Sequence, residues 1–84
     1  MNESELKAAI QRKVITYSMW TIGITDNAER RKKEHEDEGK SVRHWSHWKA
    51  DTEAIASVVE AYFIDKGMKG GTGGGEHLKY VYVF

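Results

Sequence analysis

The sequence predicts an α+β domain: a small β-sheet flanked by helices, in the order α-β-α-α-β. Three observations predict it. The stretch VITYSMWTIGI, Val14 to Ile24, is apolar and rich in β-branched and aromatic residues. The closing stretch HLKYVYVF alternates Leu78, Tyr80, Tyr82 and Phe84 against Lys79, Val81 and Val83, the two-residue period of a strand. The segments between and before them carry helical spacing and helix-start residues.

Glu3 to Gln11 predicts a short amphipathic helix, with Leu6, Ala9 and Ile10 on one face and the acids Glu3 and Glu5 at the positive helix end. In Val14 to Ile24 both alternating faces are apolar: Ile15, Tyr17 and Met19 on one, Val14, Trp20 and Ile22 on the other. That pattern belongs to a strand covered on both sides, hence central in its sheet. Gly23 within it predicts close approach by another backbone or a ligand. Thr25-Asp26-Asn27 then starts a helix, Asp26 with Glu29 matching a capping-box spacing, and Gly39 supplies the stop after Glu38. Ala28 is the only apolar residue of that helix, so the stems of its Arg and Lys side chains must supply the packing.

Lys40 to Ala50 is expected to be a linker whose Trp45 and Trp48 cover the core edge, with His44 and His47 as partners for the indoles. Asp51 or Thr52 caps a further helix running to Asp65 or Lys66, its apolar stripe being Ile55, Val58, Val59 and Tyr62. A glycine-rich loop, GMKGGTGGGEH, leads to the closing strand. Two strands are too few for a stable sheet. Either the Val14–Thr25 run forms a hairpin or a partner chain, as in a homodimer, completes it.

At 84 residues the chain has room for one core, and residues 1–84 are read as a single domain. Without cysteine it forms neither disulfides nor thiolate zinc sites, which suits a reducing cytoplasm. No apolar run approaches the ~20 residues of a membrane span, and the polar start MNESELKAAIQRK does not have the pattern of a signal peptide. Thirteen basic and thirteen acidic residues balance, which excludes a generally basic nucleic-acid binder. The basic residues nevertheless cluster between Arg30 and Lys49, so a focused basic face is expected from Arg30, Lys33, Arg43, His44 and, beyond that stretch, Lys69. The plain alternative for the polar helix is a solvated surface helix.

The triplet Thr21-Ile22-Gly23, with Arg31 of an Arg-Arg pair on the following helix and His35 one turn later, resembles the GIY-YIG nuclease superfamily. Glu60, within VVEAYF, is similar to that family's metal-binding glutamate. The resemblance covers Thr21 to about Lys66. Threonine stands where the second signature triplet has tyrosine, no GIY triplet precedes it, and the glycine run replaces the family's late asparagine. The resemblance implies a divalent-metal endonuclease acting on nucleic acid, DNA before RNA. Arg31 would hold the scissile phosphate through its planar fork, and Glu60 would ligate Mg²⁺ or Mn²⁺. His35 would move a proton or touch phosphate, and Tyr17 would assist the water.

The missing tyrosines support a second reading, a catalytically inactive interaction protein, phage-encoded, whose protein partner is a host nucleic-acid machine that it modulates. Each residue also has a bland counterpart: Arg31 solvated, Tyr17 in the core, Glu60 exposed opposite the apolar stripe. Zinc held by His35, His44 and His47 with Glu34 or Glu36 is a further arrangement these residues allow. The glycine run reads either as a grip on nucleic-acid backbone or as a loose connection.

Overall fold

The computed structural model describes residues 1–70 and 77–84. Helices flank an open, mixed four-stranded sheet. In chain order the elements are α1 (Glu3–Lys13), a 3-10 turn (Tyr17–Met19), β1 (Thr21–Thr25), α2 (Ala28–Asp37), β2 (Ser46–Lys49), α3 (Glu53–Asp65), β3 (Lys69–Gly70) and β4 (Tyr80–Val83). The sheet order is β2-β4-β1-β3, with β1 parallel to β3 and β4 antiparallel to both β1 and β2.

The register sorts the strands into two faces. Ile22 lies opposite Val83, and Ile24 and Trp48 both lie opposite Val81. This face joins Leu6, Ile10 and Val14 from α1 and Ala56, Val59 and Phe63 from α3 in the hydrophobic core. The other face carries Gly23 and His47 opposite Tyr82, and Thr25 opposite Tyr80. Helix α2 packs there through buried Ala28, Arg31 and His35.

The helix boundaries have local causes. Asn2 and Glu5 form a capping box at α1. Asn27 caps α2 by accepting from the Arg30 amide, and Thr52 caps α3 by accepting from the Ile55 amide. Both α2 and α3 end in Schellman turns. Gly39 (φ 86°) has Lys40 N–H bonded to the His35 carbonyl, and Gly67 (φ 117°) has Met68 N–H bonded to the Phe63 carbonyl.

Several expectations need correction. The run Val14–Ile24 is not one strand: Val14 caps α1, Tyr17–Met19 form a 3-10 turn, and only Thr21–Thr25 is extended. Nothing in the local sequence marks the break. Tyr17 packs against Phe63, with ring centroids 5.8 Å apart, while Ile15 and Met19 are 92% and 78% exposed. The cap of α2 is Asn27 rather than Asp26, whose carboxylate instead pairs with the Arg30 side chain.

The order α-β-α-α-β omits two strands. Ser46–Lys49, expected as linker, is the edge strand β2, and Lys69–Gly70 adds β3 at the other edge. Among the described residues four strands pair within this chain, and the Val14–Thr25 run forms no hairpin. The buried side of α3 is Ala56, Val59 and Phe63, with Val58 48% exposed, so the face is rotated from the Ile55/Val58/Val59/Tyr62 stripe. The glycine-rich loop expected to grip phosphate falls largely on 71–76, outside the described residues.

Candidate functional site

Gly23 permits the central feature of the α2 side. A Cβ built there would overlap the Tyr82 hydroxyl and ring. The expected close approach at Gly23 is therefore made by a tyrosine of the neighbouring strand, lying over bare backbone.

The Tyr82 hydroxyl is 2.9 Å from His35 Nε2. Lys40 Nζ lies 3.3 Å from His35 Nδ1. The Glu38 carboxylate lies 3.4 Å from the same nitrogen, so Nδ1 has both a donor and an acceptor beside it and the contact with Tyr82 forms in either tautomer. The Schellman turn at Gly39 brings Lys40 back to this position. The Arg31 guanidinium stands beside the Tyr82 phenol, which helps to raise the Arg31 pKa, and lies 3.5 Å from Glu34. Two side chains from successive turns of α2 thus face one phenol. Arg31 and His35 do project from one helical face, as their spacing of four predicts.

Aromatic rings enclose this cluster. Trp45 stacks on Tyr82 with centroids 4.6 Å apart and planes 9° from parallel, and its Nε1 donates to His47 Nδ1 at 2.9 Å. Phe84 lies 4.6 Å from the His35 ring. Its amide and carbonyl bond the Thr21 carbonyl and amide, which fixes it beside β1.

Burial sets the protonation states. It is the largest influence on His35, lowering its pKa from 6.5, and the charges of Arg31 and Lys40 add to the effect, so the ring is neutral at pH 7. Burial likewise raises the Tyr82 pKa, outweighing the attraction of Arg31, and the Glu60 and Glu34 carboxylates push it further up. Tyr82 is therefore a neutral phenol. For Arg31 burial opposes the charge, but Tyr82 and Glu34 overcome it and the pKa is raised.

Glu60, for which the plain alternative to a metal ligand was an exposed helix residue, is half-buried on α3, and burial raises its pKa above 4.5. It lies close enough to influence the Tyr82 phenol electrostatically. Among the described residues it has no hydrogen bond or ion pair. A half-buried carboxylate without a counter-charge fits a hard divalent cation, which takes one carboxylate and keeps most of its waters.

Arg31 and His35 thus gather around Tyr82, while Glu60 stands on α3 in the opposite layer, where Tyr17 makes its ring contact with Phe63. Arg30 and Lys33 stand on the outer face of α2, already paired with Asp26 and Asp37. Arg43, His44 and Lys69 are exposed. His35 and His47 spend ring nitrogens on Tyr82 and Trp45. Among the described residues no group of three or more His, Asp or Glu converges as a metal site. The residues missed from the sequence are Tyr82, Trp45 and Phe84. The alternation that puts Tyr82 and Phe84 on one strand face was the available signal, but nothing local says that this face meets Gly23.

Compared with protein-family models, with curated proteins and with solved structures, the chain finds no match. Among the described residues no helix is long and apolar enough to cross a membrane.

Proposed function

We propose that this chain is a GIY-YIG-like nucleic-acid-binding domain that cleaves phosphodiester bonds with a divalent metal, in the cytoplasm. The observation that carries the proposal is the meeting of Arg31 and His35 at one buried phenol, Tyr82, with Glu60 half-buried on α3 and unpaired among the described residues. Arg31, with 11% of its side chain exposed, and half-buried Glu60 are the groups that touch substrate or metal. Arg31 grips two phosphate oxygens and balances the charge that develops on them. His35 and Tyr82 have no exposed surface and act as positioning residues that hold the guanidinium in place. Glu60 would hold Mg²⁺ or Mn²⁺, which when bound would supply an activated water and offset phosphate charge. Tyr82 stands beside Arg31, and as a neutral phenol it is a support rather than a base.

The test is a cleavage assay on plasmid, linear duplex, single-stranded DNA and RNA, with Mg²⁺, with Mn²⁺ and with chelator. Metal-dependent cutting that Arg31→Ala and Glu60→Ala abolish, both variants remaining folded, is the expected result. Absence of cutting by the wild type on every substrate overturns the nuclease.

A second reading has one observation in its favour. Complete burial of His35 and Tyr82 is what a purely structural tie between α2 and the sheet requires. On that reading the domain is an inactive interaction protein that modulates a nucleic-acid machine, and Glu60→Ala leaves its action unchanged.

A further inference from the structure

Beside the Arg31 cluster, on the far side of Phe84, lies an open cleft of about 330 Å³, within the roughly 300–1,000 Å³ typical of ligand sites. Lys13, Ile15, Thr16, Met19, Trp20 and His44 line it together with Phe84. Trp20 and His44 face each other with ring centroids 6.4 Å apart. The Lys13 ammonium stands 5.7 Å from the Trp20 ring and has no acidic partner among the described residues. Among the described residues no Asp or Glu side chain lines the cleft. Ile15 and Met19 leave most of their apolar surface in water here, although core positions were available to a continuous strand.

We infer that this cleft receives one unpaired nucleobase of a nucleic-acid strand whose neighbouring phosphate lies at Arg31. The inference rests on the function proposed above and specifies its substrate as single-stranded or locally unpaired. Three kinds of observation select a base over another occupant. The aromatic walls Trp20, His44 and Phe84 offer π faces, which bind any base by stacking. Lys13 in the lining offers a cation to the attached phosphate. Phe84 is shared, touching His35 on one side and lining the cleft on the other, so the cleft and the Arg31/His35 cluster have one wall in common. The 3-10 turn that interrupts Val14–Ile24 supplies Met19 to this wall and leads directly into Trp20.

The test measures fluorescence anisotropy of two labelled oligomers of equal length, oligothymidylate and the same backbone with abasic sites, in chelator so that neither is cut. The wild type is expected to bind oligothymidylate more tightly than the abasic strand. Trp20→Ala should weaken oligothymidylate binding about tenfold and leave the abasic strand unaffected. Trp20→Phe, which keeps a stacking ring, should recover most of the loss, which separates stacking from a folding defect. Arg31→Ala should weaken both oligomers alike. Equal binding of the two oligomers by the wild type, or equal loss on both with Trp20→Ala, overturns the base site while leaving phosphate binding at Arg31 standing. A wild-type dimer that Trp20→Ala converts to monomer assigns the cleft to a second copy of the chain and overturns the inference as well. Failure of the wild type to bind either oligomer removes the nucleic-acid function and this inference together.

Discussion

His35 Nε2 and the Tyr82 hydroxyl meet at 2.9 Å across 47 residues of chain, joining the polar helix α2 to the last strand. A helix whose only apolar residue is Ala28 is anchored by this contact and by Arg31, so its packing is polar where most helices use hydrophobic burial. The arrangement makes α2 dependent on one oxygen atom.

Tyr82→Phe removes that oxygen and keeps the ring. His35 Nε2 loses its hydrogen-bond partner in a buried setting, a loss of about 1–3 kcal/mol. Urea denaturation should show a lower midpoint with an unchanged slope, since the same surface is exposed on unfolding. An unchanged midpoint would mean that water satisfies the ring nitrogen.

Gly23→Ala places a methyl group where the Tyr82 ring lies, and backbone on β1 cannot give way without disturbing its pairing with β4. Overpacking of this kind costs about 1–3 kcal/mol. Tyr82→Val in the same chain removes the obstructing ring. The double variant should therefore be more stable than the sum of the two single losses predicts, a coupling read from a double-mutant cycle. Strict additivity would show that the two residues do not meet.

The pH dependence follows from His35. Its folded pKa lies below 6.5, so between the two values the unfolded state binds the proton that the folded state refuses. The stability that the neutral ring contributes is present above about pH 6.5 and is lost as pH falls through the folded pKa. Thermal melts of wild type and His35→Asn should converge in acid and diverge at neutral pH, with the wild type higher. Parallel curves across the whole range would remove the linkage.

Glu60 has the opposite sign. Its folded pKa is raised above 4.5 by burial, so its ionised form burdens the fold at pH values above the folded pKa, and the burden disappears as pH falls below it. Glu60→Gln should raise the melting temperature by a few degrees at pH 7 and not in acid. Mg²⁺ or Mn²⁺ should stabilise the wild type and leave the variant unmoved. A metal effect of equal size in both would place the ion elsewhere.

Asn27→Ala tests whether α2 needs its local cap as well as its tertiary anchor. Loss of the bond from the Arg30 amide to the Asn27 side chain should cost about 1 kcal/mol, measured by chemical denaturation. A neutral result would leave Tyr82 as the chief determinant of the helix position.

The sequence by itself determined the helices, because their causes are local. Asn2, Asn27 and Thr52 satisfy free amides, and Gly39 and Gly67 end helices in left-handed backbone that other residues resist. It also determined the closing strand, the need for a small residue at Gly23, and the shared face of Arg31 and His35, which spacing alone dictates. Tertiary structure decided where Val14–Ile24 stops being extended, since the 3-10 turn answers to Tyr17 packing on Phe63 and not to any local breaker. It likewise made strands of Ser46–Lys49 and Lys69–Gly70, short segments with little propensity that are held by pairing to β4 and β1. The partner of Gly23, the burial of His35 and the half-burial of Glu60 were decided there too. Strand pairing and charge burial depend on which segments meet across the sheet, and spacing along the chain carries no record of that.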